Sequence, residues 1–113
     1  MIHELRIYHC LPGRVSDVSH RFENLAMRYW KKYGIRPLGF WTVQIGSSNH
    51  DIYYLLEWQD LAERERVWNA FAADPDWTRE RLESERDGPM ISSIENLILA
   101  PTRYSGIGGE PTR

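Results

Sequence analysis

The chain has 113 residues, the size of one compact domain, and its 14 basic side chains nearly balance its 16 acidic ones. Because these charges are also interspersed, no basic face for nucleic acid is expected. No stretch approaches membrane-spanning length, no signal peptide is visible, and the one cysteine, Cys10, cannot form an internal disulfide, so we expect a cytoplasmic protein without a membrane partner.

The first half of the chain predicts two strands around one helix. Residues 2–10 alternate between polar and apolar side chains, which is typical of a β-strand. Apolar residues recur at intervals of three and four over 15–33 and predict a helix, which Gly34 ends as a C-cap. Residues 38–45 predict a second strand, and 46–50 have the composition of a hairpin loop.

The second half predicts two further strands around a helical region. Residues 51–58 alternate as a third strand. Asp60, with a glutamate three residues later, predicts a helix N-terminus of the capping-box type. An Asp-Pro-Asp sequence ends that helix, a shorter helix starts at Trp77, and residues 90–99 predict strand four.

The order β-α-β-β-α-(α)-β predicts an α+β fold. It corresponds to the ferredoxin-like βαββαβ plan, in which four strands form one antiparallel sheet. We expect one domain over 1–105 and a flexible C-terminal tail over 106–113, which is rich in glycine.

In this fold the helices cover one sheet face and leave the other face bare. We expect the bare face to carry Tyr8, Phe40, Tyr53 and Leu55. An exposed aromatic patch usually marks an association surface. The sequence therefore predicts a homodimer that packs sheet against sheet.

Four segments of the chain resemble the NIPSNAP family. They are IHELRIYH at 2–9, LGFWTVQIG at 38–46, DLAERERVWNAFAADPDW at 60–77 and SIENLILAPTRYS at 93–105. The resemblance implies a dimeric α+β barrel, in which two ferredoxin-like protomers pack their sheets together. It implies no set of catalytic residues. The wider barrel superfamily includes monooxygenases, haem-handling proteins, polyketide cyclases and dehydratases, so the fold does not fix the chemistry.

Polar side chains of the sheet provide the candidate site. If Leu5 and Ile7 pack under the helices, the opposite parity of strand one points into the barrel. The catalytic candidates are Glu4, Arg6, Tyr8 and Glu57. The ligand-binding candidates are Arg6, Tyr8, Phe40, Gln44 and Tyr53. The orientation of strand four stays open for Ser93, Glu95 and Asn96.

Two interpretations of these residues stay open. In the first, Arg6 binds an anionic or carbonyl oxygen of a ligand, while a glutamate whose pKa is raised by burial moves protons. In the second, Arg6 pairs with Glu4, Glu57 or Glu95 and stabilises the sheet or the dimer.

No metal and no cofactor are expected. The four histidines form no metal-binding pattern, and His3 and His9, six residues apart on one strand, lie about 20 Å from each other. Binding of a haem through one axial histidine stays an open possibility, although no sequence feature indicates it. Cys10 is interpreted as a structural thiol, because its neighbour His9 points to the opposite strand face.

The aromatic residues are assigned mainly to the core by their spacing, and Trp30, beside two lysines, is expected at the surface. The residues assigned to the core are Trp41, Tyr54, Trp58, Trp68, Phe71 and Trp77.

Two functions are compatible with these observations. The first is a homodimer that binds or transforms a small polar or aromatic metabolite in the barrel cavity. The second is a non-catalytic interaction or scaffold module.

Overall fold

The computed structural model describes residues 1–109 of the protein. The regular elements are β1 (Ile2–Cys10), α1 (Val15–Arg21), α2 (Met27–Tyr33), β2 (Arg36–Thr42), β3 (Asp51–Trp58), α3 (Leu61–Ala72), α4 (Pro75–Ser84) and β4 (Ile91–Leu99). A π-helical segment, Phe22–Ala26, joins α1 to α2.

The four strands form one antiparallel sheet in the order β2-β3-β1-β4, and the helices pack on one of its faces. This arrangement confirms the predicted α+β, ferredoxin-like fold. We call the uncovered side of the sheet the open face. Within residues 1–109, no helix is long and apolar enough to cross a membrane.

Local caps set the boundaries of the helices. The Asp60 carboxylate accepts a hydrogen bond from a backbone N–H in the first turn of α3 at 2.8 Å, as its position predicts. Asp74 accepts from two backbone N–H groups of α4 at 2.8 and 3.1 Å, so α4 starts at Pro75 and not at Trp77. Gly34 ends α2 with φ 75°, a left-handed conformation that glycine adopts without strain.

β2 ends earlier than its alternating sequence predicts. The last pair between β2 and β3 joins Thr42 to Ile52, next to the first residue of β3. A strand needs a partner for its backbone groups, so residues beyond Thr42 leave the sheet. Gln44 consequently lies exposed in the loop before β3, and the prediction of a strand over 38–45 was wrong at its end.

Trp30 lies at the centre of the core, with 2% of its surface exposed. Its ring stacks on Phe40 at a centroid distance of 5.9 Å and lies 5.5 Å from Tyr54. The prediction of a surface position for Trp30 was therefore wrong. In an α-helix, residues four apart are displaced by about 40° around the axis. The π-helical segment widens the turn, and Phe22, Ala26 and Trp30 are all buried.

The register of β1 places Glu4, Arg6 and Tyr8 under the helices. Arg6 lies opposite Tyr54 of β3, and residues directly opposite in an antiparallel pair share a face. Tyr54 is fully buried beside Trp30, so this face is the helix side of the sheet. The predicted parity of β1 was wrong, and these three side chains do not point toward the open face.

The open face is apolar, but it carries a different set of residues from that predicted. Tyr53 and Leu55 lie on it, whereas Phe40 lies on the helix side, so the barrel placement of Phe40 was wrong. Trp41, assigned to the core from sequence, is 51% exposed on the open face, and its ring covers Gly39. The apolar residues of the open face are Leu5, Ile7, Trp41, Tyr53, Leu55, Leu97 and Leu99.

β4 is an edge strand whose side chains are largely exposed on both faces. Its register with β1 puts Asn96 opposite Arg6, on the helix side, and Ser93 and Glu95 on the open face. This register resolves the orientation that the sequence left open.

The segment after β4 folds back onto the sheet. Residues 101–109 contain turns, and Gly108, with φ 71°, lies so close to the His3 ring that a Cβ atom would come within 2.6 Å of it. Residues 110–113 lie outside the described part of the chain, so the flexible tail over 106–113 stays a prediction.

Candidate functional site

A cavity of about 440 Å³ lies between the sheet and the helices, and we call it the helix–sheet cavity. Its walls come from β1, the end of α1, the π-helical segment, α2, α3, α4 and the start of β4. Its volume falls within the range of small-molecule sites in proteins. The aromatic lining residues are Tyr8, Phe22, Trp30, Trp68, Phe71 and Trp77.

Three charged side chains also line the helix–sheet cavity, and they contact one another. Arg21 Nη1 donates hydrogen bonds to Glu85 Oε1 at 2.8 Å and to Ser84 Oγ at 3.2 Å. Arg81 Nη1 lies 3.9 Å from the second oxygen of Glu85. The lining therefore carries two positive charges against one negative charge.

Glu4 is a fully buried carboxylate saturated with hydrogen bonds. It accepts from Arg64 Nε and Nη2 at 2.7 and 2.9 Å and from Arg6 Nη1 at 3.1 Å. It also accepts from Trp58 Nε1 at 3.1 Å and from Asn96 Nδ2 at 2.9 Å. These bonds tie β1 to β3, α3 and β4 through one side chain.

The protonation of Glu4 does not suit a general base near neutral pH. Burial alone would raise the pKa of Glu4, but the hydrogen bonds and the positive charges of its partners outweigh burial and lower the pKa to about 2. A carboxylate with so low a pKa holds a proton poorly, so Glu4 serves best as a permanent negative charge.

A chain of hydrogen bonds connects this buried charge to the helix–sheet cavity. Arg6 Nε donates to Tyr54 Oη at 2.6 Å, and the Tyr54 hydroxyl donates to Tyr8 Oη at 3.1 Å. The direction of the first bond is set because an arginine nitrogen can only donate, and the second bond runs from Tyr54 to Tyr8. Burial raises the pKa of Tyr54 well above its usual value, so this hydroxyl keeps its proton. The Tyr8 proton has no acceptor among residues 1–109 and is available within the cavity lining.

Arg6 itself is closely paired in this structure. Its guanidinium contacts Glu4 and Tyr54, and its carbon Cζ lies 4.5 Å from the centre of the Trp68 ring. Of the two interpretations that the sequence left open, the geometry matches the pairing of Arg6 with Glu4.

The other predicted site residues lie elsewhere. Glu57 lies on the open face, with Oε2 3.6 Å from His3 Nε2 and Oε1 3.6 Å from Arg36 Nε. Tyr53 is on the open face and Gln44 is in the loop after β2. The structure thus brings together the three candidates of β1, whereas Glu57, Tyr53 and Gln44 lie apart from them. The roles of all these residues in binding or catalysis stay predictions.

Arg21, Arg81 and Glu85 are lining residues that were not predicted from the sequence. Arg81 and Glu85 are an i,i+4 charge pair, a pattern that is usual on solvated helix surfaces. Arg21 offered one signal, since it follows the buried Val18 by three positions and therefore lies on the apolar stripe of the predicted helix.

His9 joins three strands on the open face. Its Nδ1 lies 2.8 Å from Asp51 Oδ1, and its Nε2 lies 2.6 Å from Glu95 Oε2. The hydrogen bonds to Glu95 and Asp51 raise the pKa of His9. Across residues 1–109, no group of three or more histidine, cysteine or acidic side chains is placed to hold a metal ion.

Comparison with known proteins identifies the family. The model of the NIPSNAP family matches residues 3–106. The chain belongs to the NIPSNAP family. The human protein NipSnap homolog 3A is 23% identical to it over 107 residues, which are 95% of this chain and 38% of that protein. This NIPSNAP chain therefore spans well under half the length of its human relative.

Solved NIPSNAP structures share the fold. An uncharacterized NIPSNAP domain protein from Burkholderia xenovorans has a TM-score of 0.79 at 23% identity, over 93% of this chain and 98% of that one. A NIPSNAP family protein with unknown function from Agrobacterium tumefaciens has a TM-score of 0.82 at 26% identity, over 95% and 93% of the two chains. These comparisons confirm the resemblance noted from sequence and the fold of this chain.

Proposed function

We propose that this NIPSNAP chain binds a small, largely aromatic or apolar molecule in the helix–sheet cavity. The observation that carries the proposal is the cavity lining, in which aromatic rings surround a space that Tyr8, Arg21 and Arg81 also reach. Small-molecule sites combine an apolar wall with a few polar groups that fix the orientation of the ligand. The proposed ligand lies on the helix side of the sheet, not in the barrel interior favoured by the sequence.

Tyr8 is the proposed orienting donor. Its hydroxyl accepts a hydrogen bond from Tyr54, which in turn accepts one from Arg6, so the Tyr8 proton is directed toward a further acceptor. A carbonyl or hydroxyl oxygen of a ligand supplies such an acceptor. The buried network of Glu4 thereby has a function for the cavity, since it keeps the donors of Arg6 in place.

Binding of a neutral aromatic ketone, methyl naphthyl ketone, tests this proposal. Trp30, Trp68 and Trp77 line the cavity, so a bound ketone should quench intrinsic tryptophan fluorescence in a saturable manner. It should also raise the melting temperature, because it binds only the folded state. Tyr8→Phe should weaken binding by roughly three- to tenfold, the effect of one hydrogen bond to a neutral group.

Two tryptophan substitutions on α3 provide the matched control. Ala72 is an exposed lining residue, so Ala72→Trp should obstruct the cavity and abolish ketone binding. Ala70 is exposed on the same helix but does not line the cavity, so Ala70→Trp should bind as the parent does. No saturable binding up to millimolar ketone, or equal binding by both variants, would contradict the proposal and favour the alternative, a non-catalytic interaction module.

The apolar open face supports a homodimer that packs sheet against sheet. Leu5, in the central strand β1, lies directly opposite Leu55 of β3 and Leu97 of β4, so three leucines form a continuous apolar strip. Apolar strips of this kind are usually covered in association. Two such faces, brought together, are the proposed dimeric barrel.

A charge at the centre of this strip tests the dimer. Leu5→Glu should convert the dimer to a monomer in sedimentation velocity, because a carboxylate would have to lose its water in the interface. Leu82→Glu is the control, since Leu82 is 56% exposed on α4 and lies outside the open face. A Leu5→Glu protein that sediments as a dimer would show that the open face is not the dimer interface.

A cytoplasmic setting remains part of the proposal. The single cysteine, Cys10, is buried without a disulfide partner, and burial raises the pKa of its thiol. An unreactive reduced thiol is compatible with a reducing compartment. Localisation of the protein with a fluorescent tag would test it, and an extracytoplasmic signal would contradict it.

A further inference from the structure

The Arg21 guanidinium has unused hydrogen-bonding capacity at the helix–sheet cavity. The Arg21 side chain is 9% exposed, and it bonds through Nη1 alone, to Glu85 and Ser84. A guanidinium carries five N–H donors. Among residues 1–109, neither Nε nor Nη2 of Arg21 has a side-chain partner, so most of this fork is open to another acceptor.

Glu85 is a loosely held counter-ion for Arg21. Its side chain is 26% exposed, it accepts one hydrogen bond at 2.8 Å from Arg21, and Arg81 lies 3.9 Å away, beyond hydrogen-bond distance. Glu4, by contrast, is 0% exposed and accepts five hydrogen bonds. Glu85 can therefore turn toward solvent at little cost, whereas Glu4 cannot.

We infer that Arg21 and Arg81 form an anion subsite of the helix–sheet cavity, and that its ligand is a monocarboxylate with an aromatic or apolar body. The inference rests on the proposed function and specifies the class of ligand. The carboxylate takes the place of Glu85 on Arg21, where the open fork accepts it through two parallel N–H···O bonds. The aromatic body lies against the rings of the lining.

The charge of the lining selects a single negative charge. Arg21, Arg81 and Glu85 together carry one net positive charge, which a monocarboxylate neutralises and a neutral ligand leaves unmatched. The lining also contains an unsatisfied hydrogen-bond donor. Trp30 is a lining residue, and its buried indole N–H has no acceptor within residues 1–109. Buried donors of this kind are usually satisfied by water or ligand.

A pair of probes of nearly equal shape separates charge from aromatic packing. Naphthoate and methyl naphthyl ketone share the ring system and differ in one carboxylate oxygen that a methyl group replaces. Naphthoate should bind at least about tenfold more tightly, because hydrogen bonds to charged groups are stronger than neutral ones. Its affinity should fall as salt is added, and that of the ketone should not.

Variants of the charged cluster complete the test. Arg21→Gln should abolish the preference for naphthoate and leave ketone binding intact. Glu85→Gln removes the competing carboxylate and should tighten naphthoate binding. Glu85 is partly exposed, so this variant remains informative if Arg21→Gln fails to fold. Arg79→Gln is the control, because Arg79 lies on the same helix, α4, but is 67% exposed and pairs with Asp76.

The outcomes distinguish the two proposals. Equal affinity for both probes, with Glu85→Gln unchanged, would overturn the anion subsite and leave the binding cavity in place. Binding of neither probe would overturn the cavity proposal and the subsite with it. Tight naphthoate binding that Arg79→Gln weakens as much as Arg21→Gln does would indicate general surface charge and would also overturn the subsite.

Discussion

Replacing Glu4 by glutamine removes the charge at the centre of the buried network while nearly preserving the shape of the side chain. Arg6 and Arg64 then face an amide that supplies one acceptor oxygen and an NH₂ group, which cannot accept a hydrogen bond from either arginine. Breaking a buried ion pair by removal of one partner costs about 3–5 kcal/mol, because the remaining charge is uncompensated.

The pKa of Glu4 gives an independent magnitude for the stability that its charge contributes, and it gives the sign of the pH dependence of that stability. It lies at about 2 in the folded protein against a usual 4.5. Since each pH unit corresponds to about 1.36 kcal/mol, the ionised carboxylate contributes about 3 kcal/mol to stability. A depressed folded-state pKa means that this stability is fully present above pH 4.5 and is lost as the pH falls toward 2.

Urea unfolding followed by circular dichroism measures both effects, at one fixed protein concentration because the proposed dimer would gain stability with concentration. Glu4→Gln should lose about 3 kcal/mol at neutral pH, and the difference from the parent should shrink in acid. Asp17→Asn is the control, because Asp17 is exposed and pairs with Arg14 at the surface, so its loss should stay within about 1 kcal/mol. A Glu4→Gln loss below about 1 kcal/mol, or an unchanged acid dependence, would refute the reasoning.

Three further predictions concern His9, Asp74 and Gly39. The raised pKa of His9 means that its bonds to Glu95 and Asp51 contribute their full stability below the ordinary pKa of 6.5 and lose it as the pH rises through the raised value. The melting temperature of the parent should therefore fall over that rise in pH, and the melting temperature of His9→Gln should not show this fall. The hydrogen bond from Tyr33 to Asp74, with those from the α4 backbone, lowers the pKa of Asp74, so Asp74→Asn should melt below the parent at neutral pH, by a margin that narrows in acid; equal melting temperatures would contradict this. Gly39→Ala places a Cβ atom within 2.8 Å of the Trp41 ring, so it should weaken dimerisation in sedimentation while costing less than about 1 kcal/mol of stability, and an unaltered dimer would show that the ring is not part of the interface.

The helix boundaries were predictable because their signals are local. Asp60 accepts a hydrogen bond from the first turn of its own helix, and Gly34 adopts its left-handed conformation at the end of α2. The end of β2 was not predictable in this way. It depends on where β3 begins at Asp51, and the alternating sequence beyond Thr42 carries no information about that partner.

The orientation of β1 could not be read from its alternation, because both parities contain apolar and polar residues. Leu5 and Ile7 are the more apolar set, so burial preference alone places them under the helices. In the structure they lie on the open face, which is also apolar, while Glu4 and Arg6 neutralise each other beneath the helices. The deciding fact is the register that puts Arg6 opposite Tyr54, and no local pattern specifies it.

The burial of Arg21 and Trp30 could not be predicted from the sequence for a different reason. Both flank the π-helical segment, and a regular helical period assumes one number of residues per turn throughout. The wider turn changes which side chains reach the sheet. The candidate site therefore depends on a local irregularity of one helix as much as on the fold.

The two buried arginines of the helix side differ in a way that decides where a ligand charge can be received. Arg6 is held by Glu4, Tyr54 and the Trp68 ring, so a ligand could gain it only by breaking contacts that join three elements of the fold, β1, β3 and α3. Arg21 uses one nitrogen and has a partly exposed partner. An exchange of partners at Arg21 leaves the number of its ionic contacts unchanged, whereas an exchange at Arg6 leaves a buried carboxylate with fewer. The question that Arg6 posed in the sequence, whether its charge is paired or available, thus moves to Arg21. The role that we propose for Arg6 in binding is to orient the Tyr8 hydroxyl through Tyr54.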